Sequence, residues 1–140
     1  MSNGVHPIPQ ASVVPYRKRE GHVEFCLITS SSKKRWGFPK GIIDPGETAV
    51  ETALKEAEEE AGLHGRLEGE PLGQYEYRKW GTVLPVTCYL MRVTAADDTW
   101  PESAWRERTW HSAREARAAM DRPELLDLLD SAMRRLEAEA

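Results

Sequence analysis

The chain has 140 residues, of which 40% are hydrophobic and 30% are charged, a balance that is ordinary for one globular domain with its own core. No apolar run approaches the roughly 18 residues of a membrane span, and the N-terminus lacks the apolar region of a secretion signal. We therefore expect a cytoplasmic protein without membrane insertion. The formal net charge of −4 argues against general nucleic-acid binding. Two cysteines, Cys26 and Cys88, lie in apolar runs and predict buried free thiols.

The charged residues are unevenly distributed along the chain. Residues 1–40 carry seven basic and two acidic side chains, which leaves twelve basic and twenty-one acidic ones for the rest, out of totals of 19 and 23. A basic cluster near an acidic helix would suit a polyphosphate bridged by a metal ion. Basic residues in turns can also be simply solvated, and the composition does not separate these two interpretations.

The N-terminal part of the chain predicts two strands. Residues 1–10 contain two prolines and a glycine and predict a flexible arm, so that a single domain would span residues 11–140. Ala11–Tyr16 predicts a short strand, and the mostly apolar Val23–Thr29 predicts a strand buried on both faces. A polar, basic loop follows and leads through Phe38, a predicted core residue, to a glycine-framed turn.

The next stretch, Gly41–Leu63, predicts a turn and a helix. An Asp-Pro pair between two glycines is typical of a turn. Thr48, three residues before Glu51, forms a capping box that begins the helix, and Gly62 is placed to end it in the left-handed conformation. The helix would bury a narrow apolar stripe formed by Val50, Ala53, Leu54, Ala57 and Ala61.

A row of glutamates lies on another face of this helix. Glu56 and Glu60 are four residues apart and stack in one row, with Glu59 at its flank. Like charges at this spacing repel, whereas Mg²⁺ prefers oxygen ligands and commonly takes one or two carboxylates together with substrate phosphates. For a bare run of glutamates the solvated acidic face is the better interpretation. The preceding turn favours the metal, because it places backbone carbonyls beside the carboxylates.

The second half of the chain predicts further strands and two helices. In order, the predicted elements are a strand or turn at Gly65–Glu70, a hairpin of Leu72–Arg78 and Val83–Val93, a polar loop Asp97–Arg106, a strand Arg108–His111, and helices Ser112–Met120 and Pro123–Glu137. Ser112 and Glu115 form a second capping box. The broad apolar face of the last helix should pack on the sheet, with a dimer contact as the alternative, so both a monomer and a homodimer remain open.

The residues from Gly41 to Leu63 resemble the Nudix box. The resemblance rests on Gly41, on Glu47 after five intervening residues, and on the run Lys55–Leu63, KEAEEEAGL. Lys55 departs from the pattern, because the family usually has an arginine there that acts as a structural partner of the first glutamate, here Glu47. A lysine keeps the charge but lacks the bidentate fork of arginine.

The resemblance implies a fold, a chemistry and a set of site residues. The fold would be an α/β/α sandwich with a mixed sheet and a catalytic loop-helix, and the chemistry would be hydrolysis of a diphosphate linked to another moiety. Glu56, Glu60 and the backbone carbonyl of Lys40 would bind Mg²⁺, with Mn²⁺ as an alternative, and Glu56 would also be catalytic. Glu59 would be a further metal ligand or the general base. The structural positions would be Gly41, Glu47, Lys55 and Gly62.

Shorter segments are similar to one Nudix subgroup, the diphosphoinositol polyphosphate and diadenosine polyphosphate hydrolases. This similarity implies a small-molecule polyphosphate substrate, either a dinucleoside polyphosphate or an inositol pyrophosphate. The residues expected to contact its phosphates are Ser31, Ser32, Lys33, Arg35, Arg78 and Arg106. Two alternatives stay open: a pyrophosphohydrolase of nucleoside triphosphates or RNA 5′ ends, and a non-catalytic module that binds a polyphosphate and regulates a partner.

Overall fold

A mixed sheet lies between one helix on one face and two helices on the other. The computed structural model describes residues 7–32 and 34–138. The strands are β1 Gln10–Arg19, β2 His22–Thr29, β3 Trp36–Gly37, β4 Lys40–Ile42, β5 Leu63–Lys79, β6 Thr82–Ala96 and β7 Arg108–His111, and the helices are α1 Ala49–Ala61, α2 Ala113–Ala119 and α3 Pro123–Ala138. This arrangement confirms the predicted α/β class and sandwich.

The sheet is mixed because one of its pairings is parallel. The main strand order is β3-β2-β1-β6-β5, with β4 paired to β1 and β7 paired to β2. Strands β1 and β6 run parallel, whereas the other pairs are antiparallel. Strand β4 pairs with the central strand β1 and leads directly into the turn before α1.

The central strands are buried on both faces, which divides the core in two. Val14 and Tyr16 face the side of α2 and α3, whereas Ala11 and Val13 face α1, as the alternation of side chains along a strand requires. Ala53, Ala57 and Ala61 of α1 are fully buried, as predicted. The prediction for Val50 is wrong: it lies in the first turn and is 43% exposed.

Several further predictions are confirmed by the described residues. The apolar face of α3 packs on the sheet through Leu125, Leu128 and Leu129. Phe38 belongs to the core. Both cysteines are free and buried, and burial raises the pKa of each thiol to about 12. Among the described residues, no helix is both long enough and apolar enough to cross a membrane.

Two predicted boundaries are wrong. Residues 1–6 of the predicted arm lie outside the described residues, but Ile8 and Pro9 are held to the domain: the Ile8 N–H donates to Val83 O at 3.2 Å, and Pro9 O accepts from Ile43 N–H at 3.0 Å. The strand predicted at Leu72–Arg78 is the end of the longer β5, because β6 pairs with it almost continuously, with an irregularity between Glu68 and Gly73.

Both ends of α1 are fixed by specific hydrogen bonds. At its N-terminus the predicted capping box of Thr48 and Glu51 is present, and at its C-terminus Gly62 has φ of 65°. The last carbonyls accept hydrogen bonds from the loop predicted at Asp97–Arg106 and from β7. Trp100 Nε1 donates to Glu60 O at 2.9 Å, and Arg108 Nη1 donates to Ala61 O at 2.7 Å. These donors satisfy carbonyls that a helix end leaves open.

Replacing Trp100 by phenylalanine should destabilise this end of α1. The ring can still lie beside Arg108, whose guanidinium is 4.2 Å from the indole centroid, but the donor to Glu60 O is lost. We expect the free energy of unfolding to fall by about 1 kcal/mol, as measured by urea denaturation. Trp105→Phe is the control, since Trp105 is 45% exposed. Equal stability of the two variants would contradict the helix-end role of Trp100.

Candidate active site

The turn before α1 brings Glu56 and Glu60 against strand β4. Glu60 is 8% exposed and its Oε1 accepts the backbone N–H of Lys40 at 3.2 Å. Glu56 lies against Gly41, where an added Cβ would be 2.3 Å from Glu56 Cδ. This position of Glu56 therefore requires glycine at position 41, because the glutamate occupies the volume that any side chain there would need.

Burial makes the negative charge of this pair unfavourable. The pKa of Glu60 is raised mainly by burial and further by Glu56, while Arg106 opposes the shift. The pKa of Glu56 is also raised, again mainly by burial. Arg106 Nη2 is 3.5 Å from Glu60 Oε2 and offsets part of the charge. Such a pair is suited to a divalent cation, whose charge would offset the rest.

Glu59 is less closely involved than the other two glutamates. It is partly exposed, and its backbone carbonyl accepts the N–H of Glu102 at 3.1 Å. Within the described part of the chain, no group of three or more Asp, Glu, His or Cys side chains is arranged to hold a metal ion. Two carboxylates nevertheless fit Mg²⁺, which usually keeps several waters and takes substrate phosphates as further ligands.

Lys55 forms the predicted pair with Glu47. Its Nζ donates to both oxygens of Glu47, at 2.9 and 2.8 Å, and also to Asp44 Oδ2 at 3.2 Å. Thr52 Oγ1 donates to Glu47 Oε1 at 2.9 Å. The hydrogen bond from Lys55 lowers the pKa of Glu47, and the same bond raises the pKa of Lys55. Lysine therefore reaches both carboxylate oxygens without the arginine fork.

Lys55→Arg should be tolerated and should keep the melting temperature at or slightly above that of the wild type. Arginine can contact both oxygens of Glu47 through two parallel N–H groups. Lys55→Met, measured by the same thermal unfolding, should be less stable at neutral pH. Because the pKa of Glu47 is lowered in the folded state, this difference should disappear as the pH falls through that pKa. A loss of several degrees in the arginine variant would contradict the pair's proposed role.

A cavity of about 180 Å³ opens beside Glu60 and is strongly basic. Its walls include Thr29, Ser31, Phe38 and Tyr77. Among its described lining residues Glu60 alone is acidic, whereas five are basic: Arg35, Lys40, Lys79, Arg106 and Arg122. Lys40 Nζ donates to Gln10 Oε1 at 3.1 Å and lies 4.0 Å from the Tyr77 ring centroid. Burial, as the largest cause, lowers the pKa of Lys40 to about 8.

The structure brings some of the predicted phosphate-contacting residues to this cavity. Ser31, Arg35 and Arg106 line it. Ser32 does not line it and instead lies with its Oγ 3.1 Å from Ser30 Oγ. Lys33 lies outside the described residues.

The structure places Arg78 away from the cavity, contrary to the prediction. Alternation along β5 turns Tyr77 and Lys79 towards the cavity and Arg78 to the opposite face. There the Arg78 side chain is 75% exposed, and its Nη2 is 3.8 Å from Glu76 Oε2. The prediction chose the correct strand end but the wrong face.

Arg106 is held by protein groups within the cavity wall. Its Nε donates to Glu102 Oε1 at 2.6 Å, and its Nη1 donates to Thr29 O at 2.9 Å. Together with the contact to Glu60, these bonds orient the guanidinium and leave its side chain 15% exposed. Arg106 therefore compensates the charge of Glu60 as well as lining the cavity.

The lining residues that escaped the sequence prediction include the Lys40 side chain, Tyr77, Lys79 and Arg122. Side chains alternate between the two faces of β5. Tyr77 and Lys79 could therefore have been predicted if the face of β5 towards the cavity had been known. Arg122, between two helices and far along the chain from the acidic helix, carried no local signal.

The mixed sheet between helix layers and the glycine-led acidic helix define an α/β/α domain with a loop-helix site. Residues 6–132 match the NUDIX domain, and the chain belongs to the Nudix family. The resemblance found in Gly41–Leu63 is therefore confirmed.

Several curated relatives are similar to this chain. It is 34% identical over 102 residues to Nudix hydrolase 12, mitochondrial, of Arabidopsis thaliana, a match that covers 67% of this chain and 50% of that protein. It is 38% identical over 109 residues to Nudix hydrolase 21, chloroplastic, of the same organism, covering 74% and 54%. The chain thus spans about half the length of these relatives.

A solved structure extends the likeness over nearly the whole domain. The binary complex of a Caenorhabditis elegans Ap4A hydrolase has a TM-score of 0.83 and 26% sequence identity, and the match covers 94% of this chain and 98% of that one. In sequence, the asymmetrical bis(5′-nucleosyl)-tetraphosphatase of C. elegans is 40% identical over 57 residues, covering 40% of this chain and 41% of that protein.

Proposed function

We propose that this chain is a Mg²⁺-dependent pyrophosphohydrolase that cleaves a phosphoanhydride bond in a dinucleoside polyphosphate. The observation that carries the proposal is the position of the buried Glu60, with the half-buried Glu56 one turn away on α1, beside a cavity with five basic side chains. The pair is suited to a divalent cation, and the cavity is suited to a phosphate chain. The similarity to the C. elegans Ap4A hydrolase supports the dinucleotide.

Each residue at the site has a role in this hydrolysis. Glu56, Glu60 and the Lys40 carbonyl would hold Mg²⁺ or Mn²⁺, and the bound metal supplies charge neutralisation on phosphate oxygens. Glu59, which is partly exposed, would accept a proton from the attacking water or act as a further ligand. Arg106 keeps the Glu60 carboxylate oriented.

The charge of the cavity favours a long polyphosphate over a single nucleoside triphosphate. A triphosphate with two bound Mg²⁺ ions is nearly neutralised, whereas a longer chain retains charge that only side chains can meet. Each charge-assisted hydrogen bond contributes about 1.5–3 kcal/mol, so three or four such bonds are enough to decide selectivity. The same reasoning applies to an inositol pyrophosphate, which is the second candidate substrate.

Two further alternatives are less well supported. A non-catalytic binding module would not need the close approach of Glu56 to Gly41. A pyrophosphohydrolase of nucleoside triphosphates or RNA 5′ ends would share the carboxylates but would make less use of the basic cavity. The cytoplasmic location and the monomeric or dimeric state stay predictions.

A hydrolysis panel with Mg²⁺ tests the proposal. It should contain dinucleoside polyphosphates, inositol pyrophosphates, nucleoside triphosphates and capped RNA. We expect the dinucleoside polyphosphates to have the highest kcat/KM. A wild-type enzyme that prefers a single nucleoside triphosphate by tenfold would overturn the substrate assignment.

Removing two cavity charges should affect the long polyanion most. Lys79→Ala combined with Arg35→Ala should raise KM about tenfold or more for a dinucleoside tetraphosphate and much less for a nucleoside triphosphate. Arg106 is unsuitable for this test because its loss would also leave Glu60 uncompensated. Lys18→Ala with Arg19→Ala, two exposed residues of β1, is the matched control. Equal losses on both substrates would contradict the role of the cavity.

A further inference from the structure

Arg122 brings to the basic cavity a hydrogen-bond donor without a partner among the described residues. Its Nε–H is buried and, within the described part of the chain, has no hydrogen-bond partner. The other two arginines of the cavity differ from it: Arg106 contacts Glu60 and Glu102, and Arg35 lies 3.9 Å from Asp121. A buried donor without an acceptor is costly for the fold, and an anion bound to the half-buried Arg122 side chain would offset this cost.

Gly37 makes room for this side chain. An added Cβ at position 37 would lie 2.6 Å from Arg122 Nη2 and 3.4 Å from Leu125 Cδ1. Gly37 is buried in β3. Its backbone is held in place because β3 pairs with β2. The glycine in the segment Trp36–Phe38 therefore lets the guanidinium lie directly on the strand, at the cavity.

The cavity chemistry identifies the missing partner as an anion with several acceptors. Arg122, Lys40 and Lys79 all line the same cavity, and planar guanidinium groups bind phosphate oxygens through paired N–H donors. Of the three glutamates assigned to the metal site, Glu60 alone lines this cavity, and Arg106 lies 3.5 Å from its carboxylate and offsets its charge. Because the other basic side chains of the cavity outnumber this one carboxylate, an anion seated here would interact with side-chain cations without needing the metal.

We propose that Gly37 and Arg122 form a metal-independent phosphate subsite, with Arg122 as a specificity-determining residue for substrates that carry a phosphate beyond the reacting pair. The inference rests on the proposed function in taking that phosphate as part of the polyphosphate substrate. Gly37 acts by position: it admits the guanidinium to the subsite.

Binding of inorganic tripolyphosphate in EDTA, measured by isothermal titration calorimetry, tests the subsite apart from catalysis. Arg122→Met keeps the aliphatic stem, removes the guanidinium and should weaken binding at least tenfold. Gly37→Ala should weaken it similarly by displacing the guanidinium, whose end is flexible enough for the variant to fold. The double variant should bind no more weakly than Arg122→Met. Arg134→Met, an exposed position on α3, should bind like the wild type.

Several results would overturn the subsite. Unchanged binding by Arg122→Met, additive losses in the double variant, or an equal loss in Arg134→Met would each do so. If Arg122→Met does not fold, Arg122→Lys replaces it and should bind tripolyphosphate with an intermediate loss; unchanged binding by that variant would equally overturn the subsite.

Steady-state kinetics separates this inference from the proposed function. With a dinucleoside tetraphosphate and Mg²⁺, Arg122→Met should raise KM while kcat stays near the wild-type value. A wild-type protein that hydrolyses none of the panel would refute the proposed function, while the binding measurements in EDTA would still decide the subsite. A fall in kcat with unchanged KM would overturn the assignment of Arg122 to substrate binding.

Discussion

Glu60→Gln is expected to reduce turnover on the order of a hundredfold or more, as when a site loses metal charge stabilisation. At the same time it should raise the melting temperature of the metal-free protein. Glutamine matches the size of the buried side chain and can still accept the Lys40 N–H through its amide oxygen, but it carries no buried charge beside Glu56. Arg106 would lose one partner and keep Glu102 and Thr29 O.

The sign of the stability effect follows from the raised pKa of Glu60. The folded state holds the proton above the ordinary pKa of 4.5, so metal-free stability should fall as the pH rises from that value through the folded pKa. The advantage of Glu60→Gln in EDTA should therefore be small near pH 5 and should grow towards pH 8. Added Mg²⁺ should stabilise the wild type and leave the variant nearly unchanged.

Glu58→Gln is the matched control for this experiment. Glu58 lies on the same helix and is exposed, so the variant should retain both its activity and its response to Mg²⁺. Near-wild-type activity of Glu60→Gln at ordinary Mg²⁺ would refute the metal-ligand assignment. A metal-free melting temperature below that of the wild type at pH 8 would refute the account of the buried charge.

Gly41→Ala should weaken the same site without removing any ligand. The new methyl group would be 2.3 Å from Glu56 Cδ and 2.7 Å from its Cγ, so the whole glutamate side chain must move. The position is not one of positive φ, and alanine should therefore be accepted by the backbone. We expect the affinity for Mg²⁺, measured from the metal dependence of activity, to fall about 10- to 100-fold, the range seen when ligand orientation is disturbed.

Gly73→Ala is the control, since its new methyl would make only an ordinary contact, 3.4 Å from Leu128 Cδ2. Both variants should unfold cooperatively near the wild-type temperature. An unchanged Mg²⁺ requirement in Gly41→Ala would show that Glu56 can bind the metal from another position. The close contact between Gly41 and Glu56 would then not be needed for metal binding.

The elements predicted correctly are those whose signals are local. The capping box of Thr48 and Glu51 and the left-handed Gly62 set the ends of α1, because caps act within one turn of the residue that makes them. Strand Arg108–His111 was also predicted with its observed bounds. The row of Glu56 and Glu60 follows from spacing along one helix, whereas the pairing of Lys55 with Glu47 was implied by the resemblance to the Nudix box.

The composition of the basic cavity was decided only by the tertiary structure. Basic side chains are common along this chain, and their charge alone does not say which of them meet. The face of β5 assigned Lys79 to the cavity and Arg78 to the other side, because a strand alternates its side chains and its register is set by pairing with β6. Arg106 was predicted at the site, but its ion pair with Glu60 depends on a contact between distant segments.

The sequence by itself therefore determined the helix, its carboxylates and the family of the domain, whose signals lie within twenty-three consecutive residues. Only the packing of the sheet and α3 brought Arg122 against Gly37, across more than half of the chain. The physical reason is range: caps and helix spacing act between near neighbours, whereas cavity walls are built by long-range pairing that no single segment encodes.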